Sequence, residues 1–93
     1  MRVLQLIDSL NPGGAERMAI NIANALARIK VESFVCATRE EGKLKSELNK
    51  EVSYIFLQKI KILDFYALSR LRRYIKKQKI THIHAHTTSY FFA

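Results

Sequence analysis

Apolar residues along the chain gather in short runs, and the spacing within each run alternates between a strand-like and a helix-like period. "VLQLI", Val3 to Ile7, is short and apolar enough to be a buried strand. From Ala15 the apolar positions become Ala15, Met18, Ala19, Ile22, Ala25, Leu26 and Ile29, a helical period, with Glu16, Arg17, Asn21, Asn24 and Arg28 largely on the other side. "VESFVCAT", Val31 to Thr38, is β-branched and aromatic and predicts a second strand. The polar "REEGKLKSELNKE" around Gly42 predicts a loop and a short helix near Leu44 to Leu48. "VSYIFL", Val52 to Leu57, predicts a third strand. Asp64 then suits a helix cap, and Leu68, Leu71 and Ile75 line one face of a helix ending near Gln78. In "THIHAH" the period returns to two, with Ile83 and Ala85 on one face and His82, His84 and His86 on the other.

Strands alternating with helices at short spacing predict an α/β fold, a Rossmann-like open parallel sheet covered by helices. Right-handed crossovers limit the arrangement to Rossmann-like topologies, with about four strands in the expected order 3-2-1-4. Residues 1–93 then form one partial domain, with strand four at an open edge beside Tyr90, Phe91 and Phe92. That edge and the "YFFA" tail are expected to self-associate as a homodimer. The chain stops where a further helix is expected to start, which suggests a piece of a larger protein.

Composition narrows the setting. Of 93 residues, 48% are hydrophobic and 26% charged, as in soluble globular proteins. No apolar stretch approaches the ~20 residues a bilayer span requires, and Asp8 interrupts the first run too early for a signal peptide. Cys36 is the single cysteine, so no internal disulfide forms, and a reducing cytoplasm is the expected compartment. The net charge of +8 is concentrated. Residues 59–79 carry Lys59, Lys61, Arg70, Arg72, Arg73, Lys76, Lys77 and Lys79 against Asp64 alone.

Two stretches carry candidate chemistry. "NPGGAER", Asn11 to Arg17, joins the first strand to the first helix. Gly13 and Gly14 lack Cβ atoms, so a ligand can approach their amides and the backbone can take positive φ, while the helix start offers unpaired N–H groups and the positive dipole end. This suits a phosphate, although Pro-Gly-Gly also makes a plain tight turn and Glu16 also suits the helix dipole. In a 3-2-1-4 sheet the strand order reverses between strands one and four, so the glycine loop and the end of "THIHAH" meet there. His residues two apart on a strand lie about 6.6 Å apart and those four apart about 13 Å, so at most two of the three share an ion, and no metal site is expected. His82 and His84 are expected in core or supporting roles, and His86 is expected to face a ligand.

"GGAER" before the apolar helix "MAINIANALA", after "RVLQLID", resembles the N-terminus of family-4 glycosyltransferases of the GT-B fold, and "ITHIHAH" resembles their fourth-strand ending. The resemblance spans essentially the whole chain. It implies a retaining transferase that moves a sugar from a nucleotide-sugar donor to an acceptor, in a cleft between two Rossmann-like domains. Gly13 and Gly14 would then face the donor diphosphate and the bound acceptor. His86 would be the catalytic histidine that hydrogen-bonds the transferring sugar, and His84 would be structural. No cofactor is expected, since the nucleotide-sugar is a substrate. Ile80 and Thr81 stand where the family often has Pro-Asp, which is expected to weaken the turn into strand four. The C-terminal donor-binding domain, with its basic pair and E-x₇-E motif, is absent from these residues, so the 93-residue chain alone is expected to be inactive.

Arg70, Arg73 and Lys77 fall on one helical stripe near Arg72, Lys76 and Lys79. Such a stripe is either a solvated face or an electrostatic contact with anionic lipid, the latter suiting a membrane-linked acceptor and a peripheral location on the inner membrane face. No helix-turn-helix, RNP motif or aromatic ladder accompanies the charge, so no nucleic-acid partner is expected. Two other classes fit the residues alone: a non-catalytic phosphate- or nucleotide-binding module, and a basic nucleic-acid-binding domain.

Overall fold

A computed structural model describes residues 1–10, 13–58 and 65–86. The expected Asp64 cap, Lys59, Lys61, the first two residues of "NPGGAER" and the aromatic tail lie outside the described residues. Strand β1 (Arg2–Ser9) leads to helix α1 (Gly14–Arg28), β2 (Glu32–Glu40), a 3-10 turn (Lys43–Glu47), β3 (Ser53–Phe56), helix α2 (Phe65–Gln78) and β4 (His82–Ala85). All the described pairings are parallel and the sheet order is β3-β2-β1-β4, an open Rossmann-like α/β sheet.

The pleat of β1 sorts its side chains between two helices. Leu4 and Leu6 pack with Phe34, Cys36 and Leu57 beneath Ala67 and Leu71 of α2. Ile7 packs on the opposite face with Val35 and Ala37, beneath Ala19, Ile20, Ala23 and Ala27 of α1. The buried stripe of α1 is therefore rotated from the expected one: Met18 and Ile29 are exposed. Three alanines bring the helix backbone close to the sheet, and this contact outweighs the larger apolar side chains. Cys36 is fully buried between β2 and α2, and burial pushes its thiol up to about 12, so it stays protonated and unreactive.

Both helices end the same way. Lys30 and Lys79 take left-handed φ values of 67° and 54°. The next amides turn back five residues into the helix, Val31 N–H to Leu26 O at 3.0 Å and Ile80 N–H to Ile75 O at 3.0 Å. The turn into β4 is firmer than its lack of Pro-Asp suggests. Thr81 donates its N–H to Arg2 O at 2.9 Å, and its hydroxyl accepts the Arg2 N–H at 3.0 Å.

Arg70 departs from the stripe it shares in sequence with Arg73 and Lys77. Its half-buried guanidinium turns to the end of β3 and donates to Leu57 O at 3.0 Å and Phe56 O at 3.4 Å. Hydrogen bonds from a charged donor contribute about 1.5–3 kcal/mol each. Arg70→Met should therefore lower the unfolding free energy by about 2–3 kcal/mol, measured by urea titration. Arg73→Met, on the same helix, should change it by under ~0.5 kcal/mol. Equal effects at the two positions would contradict the anchoring role.

Candidate functional site

The strand order reverses between β1 and β4, and both strands end at the same edge of the sheet. α1 begins beyond that edge, with Gly13 as its N-cap and the Arg17 N–H donating to Gly13 O at 2.9 Å. Gly13 is extended, with φ −175°, and no described glycine has positive φ. The expected left-handed backbone is thus not why glycine stands here.

The two glycines differ in what surrounds them. A Cβ on Gly13 would lie 2.5 Å from Glu16 Oε1, because the Glu16 carboxylate folds back over the N-cap. Glu16 occupies the third helical position, where a carboxylate offsets unpaired N–H groups and the positive dipole end. A Cβ on Gly14 would meet nothing within 4 Å. Gly14 is exposed and offers the open approach to the helix start.

On β4, neither His82 nor His84 takes the core place, one of the two roles expected for them. His82 and His84 are exposed, whereas His86 is 6% exposed. β4 is an edge strand, and His82 and His84 stand on its α1 side, opposite Val3 and Gln5 of β1. His86 lies one residue beyond β4, its N–H donating to Leu6 O at 2.9 Å. Its ring packs on His84 with centroids 4.1 Å apart and planes tilted by 37°. His86 Nε2 lies 2.8 Å from Oε1 of the fully buried Gln5. Burial first, then His84, holds the His86 imidazole below the ordinary histidine pKa, so it is neutral at pH 7. His82 Nδ1 lies 2.8 Å from the Thr81 hydroxyl. Among the described residues no three His, Cys, Asp or Glu side chains come together as a metal site.

The arrangement can do two things chemically. The amide end of α1 can receive a negative group at Gly14, and a neutral imidazole on the adjacent strand, its one N–H given to Gln5 Oε1, can accept a hydrogen bond from a hydroxyl. Gln5 is the residue that sequence reasoning missed. The available signal was a lone amide within the apolar "RVLQLI" of a central strand. The other face of the sheet carries a second feature. A cavity of about 320 Å³ is lined by Ile55, Tyr66, Arg70, Arg73, Tyr74 and Lys77. Arg73, Lys76 and Lys77 line an adjoining hollow, and Phe65 and Tyr66 at the start of α2 are 75% and 71% exposed. None of the described helices is long and apolar enough to cross a membrane.

The depressed His86 pKa links protonation to stability. Its stabilising effect is full above the ordinary histidine value of 6.5 and is lost as pH falls through the lower folded value. The urea midpoint should fall between pH 7.5 and pH 5, and His86→Asn should flatten that dependence. A wild-type midpoint constant across this window would contradict the assignment.

Searches of curated proteins and of solved structures return no match. A family model described as Glycosyltransferase Family 4 matches residues 12–93, a span that includes the glycine junction, the basic helix and the histidine strand. The chain belongs to glycosyltransferase family 4.

Proposed function

We propose that the chain forms the acceptor-side wall of a retaining GT-B glycosyltransferase, which moves a sugar from a nucleotide-sugar donor to an acceptor. One observation carries the reading. In a family-4 chain, the open helix start at Gly14 and the neutral His86 leave adjacent strands at one edge of the sheet. Gly14 admits the donor diphosphate to the α1 amides, while Gly13 and Glu16 shape the turn. His86 hydrogen-bonds the transferring sugar, and His84 supports its ring. A second domain closes the cleft and supplies the cations and carboxylates that hold the donor, so the 93-residue chain alone has no measurable turnover. No cofactor takes part, and the enzyme works in the cytoplasm.

The test begins with the coding sequence downstream of Ala93. A continuing frame with an E-x₇-E motif gives the protein in which donor hydrolysis and transfer can be assayed. There His86→Ala should lower kcat about 10²-fold or more. Gly14→Ala should lower kcat/KM at least about tenfold while raising stability by about 0.4–1 kcal/mol, because alanine at the first helical position restricts the unfolded chain. Unchanged turnover in both variants would sink the proposal.

We also infer that the acceptor lies at an anionic membrane surface on the cytoplasmic side. Support comes from Arg73, Lys76 and Lys77 beside the exposed rings of Phe65 and Tyr66, a pairing of cations and interfacial aromatics. Each surface cation contributes ~1 kcal/mol to such binding. Replacing all three with alanine should weaken binding to anionic liposomes at low salt by at least about tenfold. Equal wild-type binding to neutral and anionic liposomes would refute the docking.

A further inference from the structure

Gln5 is a costly residue for its place. It sits mid-strand in β1, between Val35 of β2 and His84 of β4, and is fully buried. Its Oε1 meets His86 Nε2 at 2.8 Å, while its own Nε2 is buried with no hydrogen-bond partner. A half-satisfied amide in a dry sheet is worse for stability than an apolar side chain of the same length. Methionine would fill that volume without stranding a donor. What methionine would not do is hold His86. An amide oxygen only accepts, so the ring proton of His86 resides on Nε2 and points at Gln5. The ring is thereby fixed in one tautomer, with one edge turned into the sheet. The backbone of His86 is fixed independently, through its N–H to Leu6 O at 2.9 Å, and the ring face rests on His84 at 4.1 Å. Backbone, ring face and ring edge are each held by a different contact, and the edge contact bears on which ring nitrogen carries the proton.

We propose that Gln5 is the positioning residue of His86, selecting its Nε2–H tautomer and aiming its ring. The proposal rests on the reading that His86 meets the transferring sugar. Gln5 itself touches neither donor nor acceptor and acts through the imidazole. Register makes this specific to Gln5: Val3 and Ile7, which share its face of β1, have no polar atom to offer.

Histidine-labelled NMR spectra of the 93-residue chain test the link without donor, acceptor or turnover. At pH 7.5 the wild-type His86 should be neutral, with its proton on Nε2 and the Nε2–H resonance protected from solvent exchange. Gln5→Met should accelerate that exchange at least tenfold and let the proton divide between the two ring nitrogens. Gln5→Glu keeps an acceptor and should restore protection. A wild-type proton on Nδ1, or unchanged protection in Gln5→Met, would overturn the proposal. Were Gln5→Met not to fold, the wild-type tautomer and the Gln5→Glu spectrum would still decide. In the full-length protein, Gln5→Met should lower kcat about tenfold at unchanged KM, with partial recovery in Gln5→Glu, and an unchanged kcat would overturn the positioning role. Loss of the transferase reading would leave the spectra as expected, whereas loss of the Gln5 link would leave the transferase reading standing.

Discussion

The register of β1 is the constraint on which the rest depends. β1 pairs along both edges, with β2 on one side and β4 on the other, and both of its faces are covered. A one-residue slip would turn Leu4 and Leu6 out of the α2 layer and send Gln5 into it. The same register sets Gln5 opposite His84 and delivers the His86 N–H to Leu6 O. The polar cluster at the carboxyl edge is therefore a consequence of how the apolar residues of one strand divide between two helices. Hydrophobic sorting fixes the core, and the site inherits its alignment.

The two helices meet the sheet differently, and their exposed surfaces differ accordingly. α1 buries alanines and one isoleucine, a narrow stripe that lets its backbone lie close to β1 and β2. Its start is thereby held beyond the end of β1, where its amide dipole acts. α2 buries only Ala67 and Leu71 fully, and Tyr74 and Ile75 complete the contact. Tyr74 meets Phe34 edge-on, with ring centroids 6.2 Å apart, and Arg2 stands 5.0 Å over the same Phe34 ring. This thinner attachment leaves the cationic and aromatic side chains of α2 to solvent, so the site and the basic surface fall on different faces of one sheet.

Much of this was legible in the sequence. The seven elements, their order and the sheet order follow from period changes and short connections, because each apolar run is bounded by polar or turn-forming residues. Four features were not legible, for separable reasons. The buried stripe of α1 is set by close backbone approach, which favours Ala23 and Ala27 over Met18 and Ile29, and hydrophobicity alone ranks these the wrong way. Arg70 looks like a surface cation until α2 is docked, when the carbonyls of Phe56 and Leu57 come within its reach. The alternation of "HIHAH" gives the face of each histidine but not its burial, which depends on which strand lies alongside. Gln5 belongs with these, since its meaning arises only across the β1–β4 pairing, 81 residues from His86.

The glycine pair separates two reasons for glycine, backbone freedom and room for close approach, that the sequence alone leaves together. Backbone freedom would predict similar roles for Gly13 and Gly14, yet neither uses positive φ. Room separates them. At Gly13 the missing Cβ is space taken by the Glu16 carboxylate, so this glycine serves an internal contact that neutralises the helix start. At Gly14 the missing Cβ is space facing outward, with nothing within 4 Å. An incoming anion at this helix end thus meets a carboxylate on the Gly13 side and bare backbone on the Gly14 side. Like charges repel, so the anion's path is biased toward Gly14, or it displaces Glu16 from the helix start. On either path the Glu16 carboxylate already offsets the positive end of the helix, and an anion would gain only what it adds beyond that carboxylate. A phosphate's greater charge and acceptor count, rather than an empty dipole, would favour the exchange.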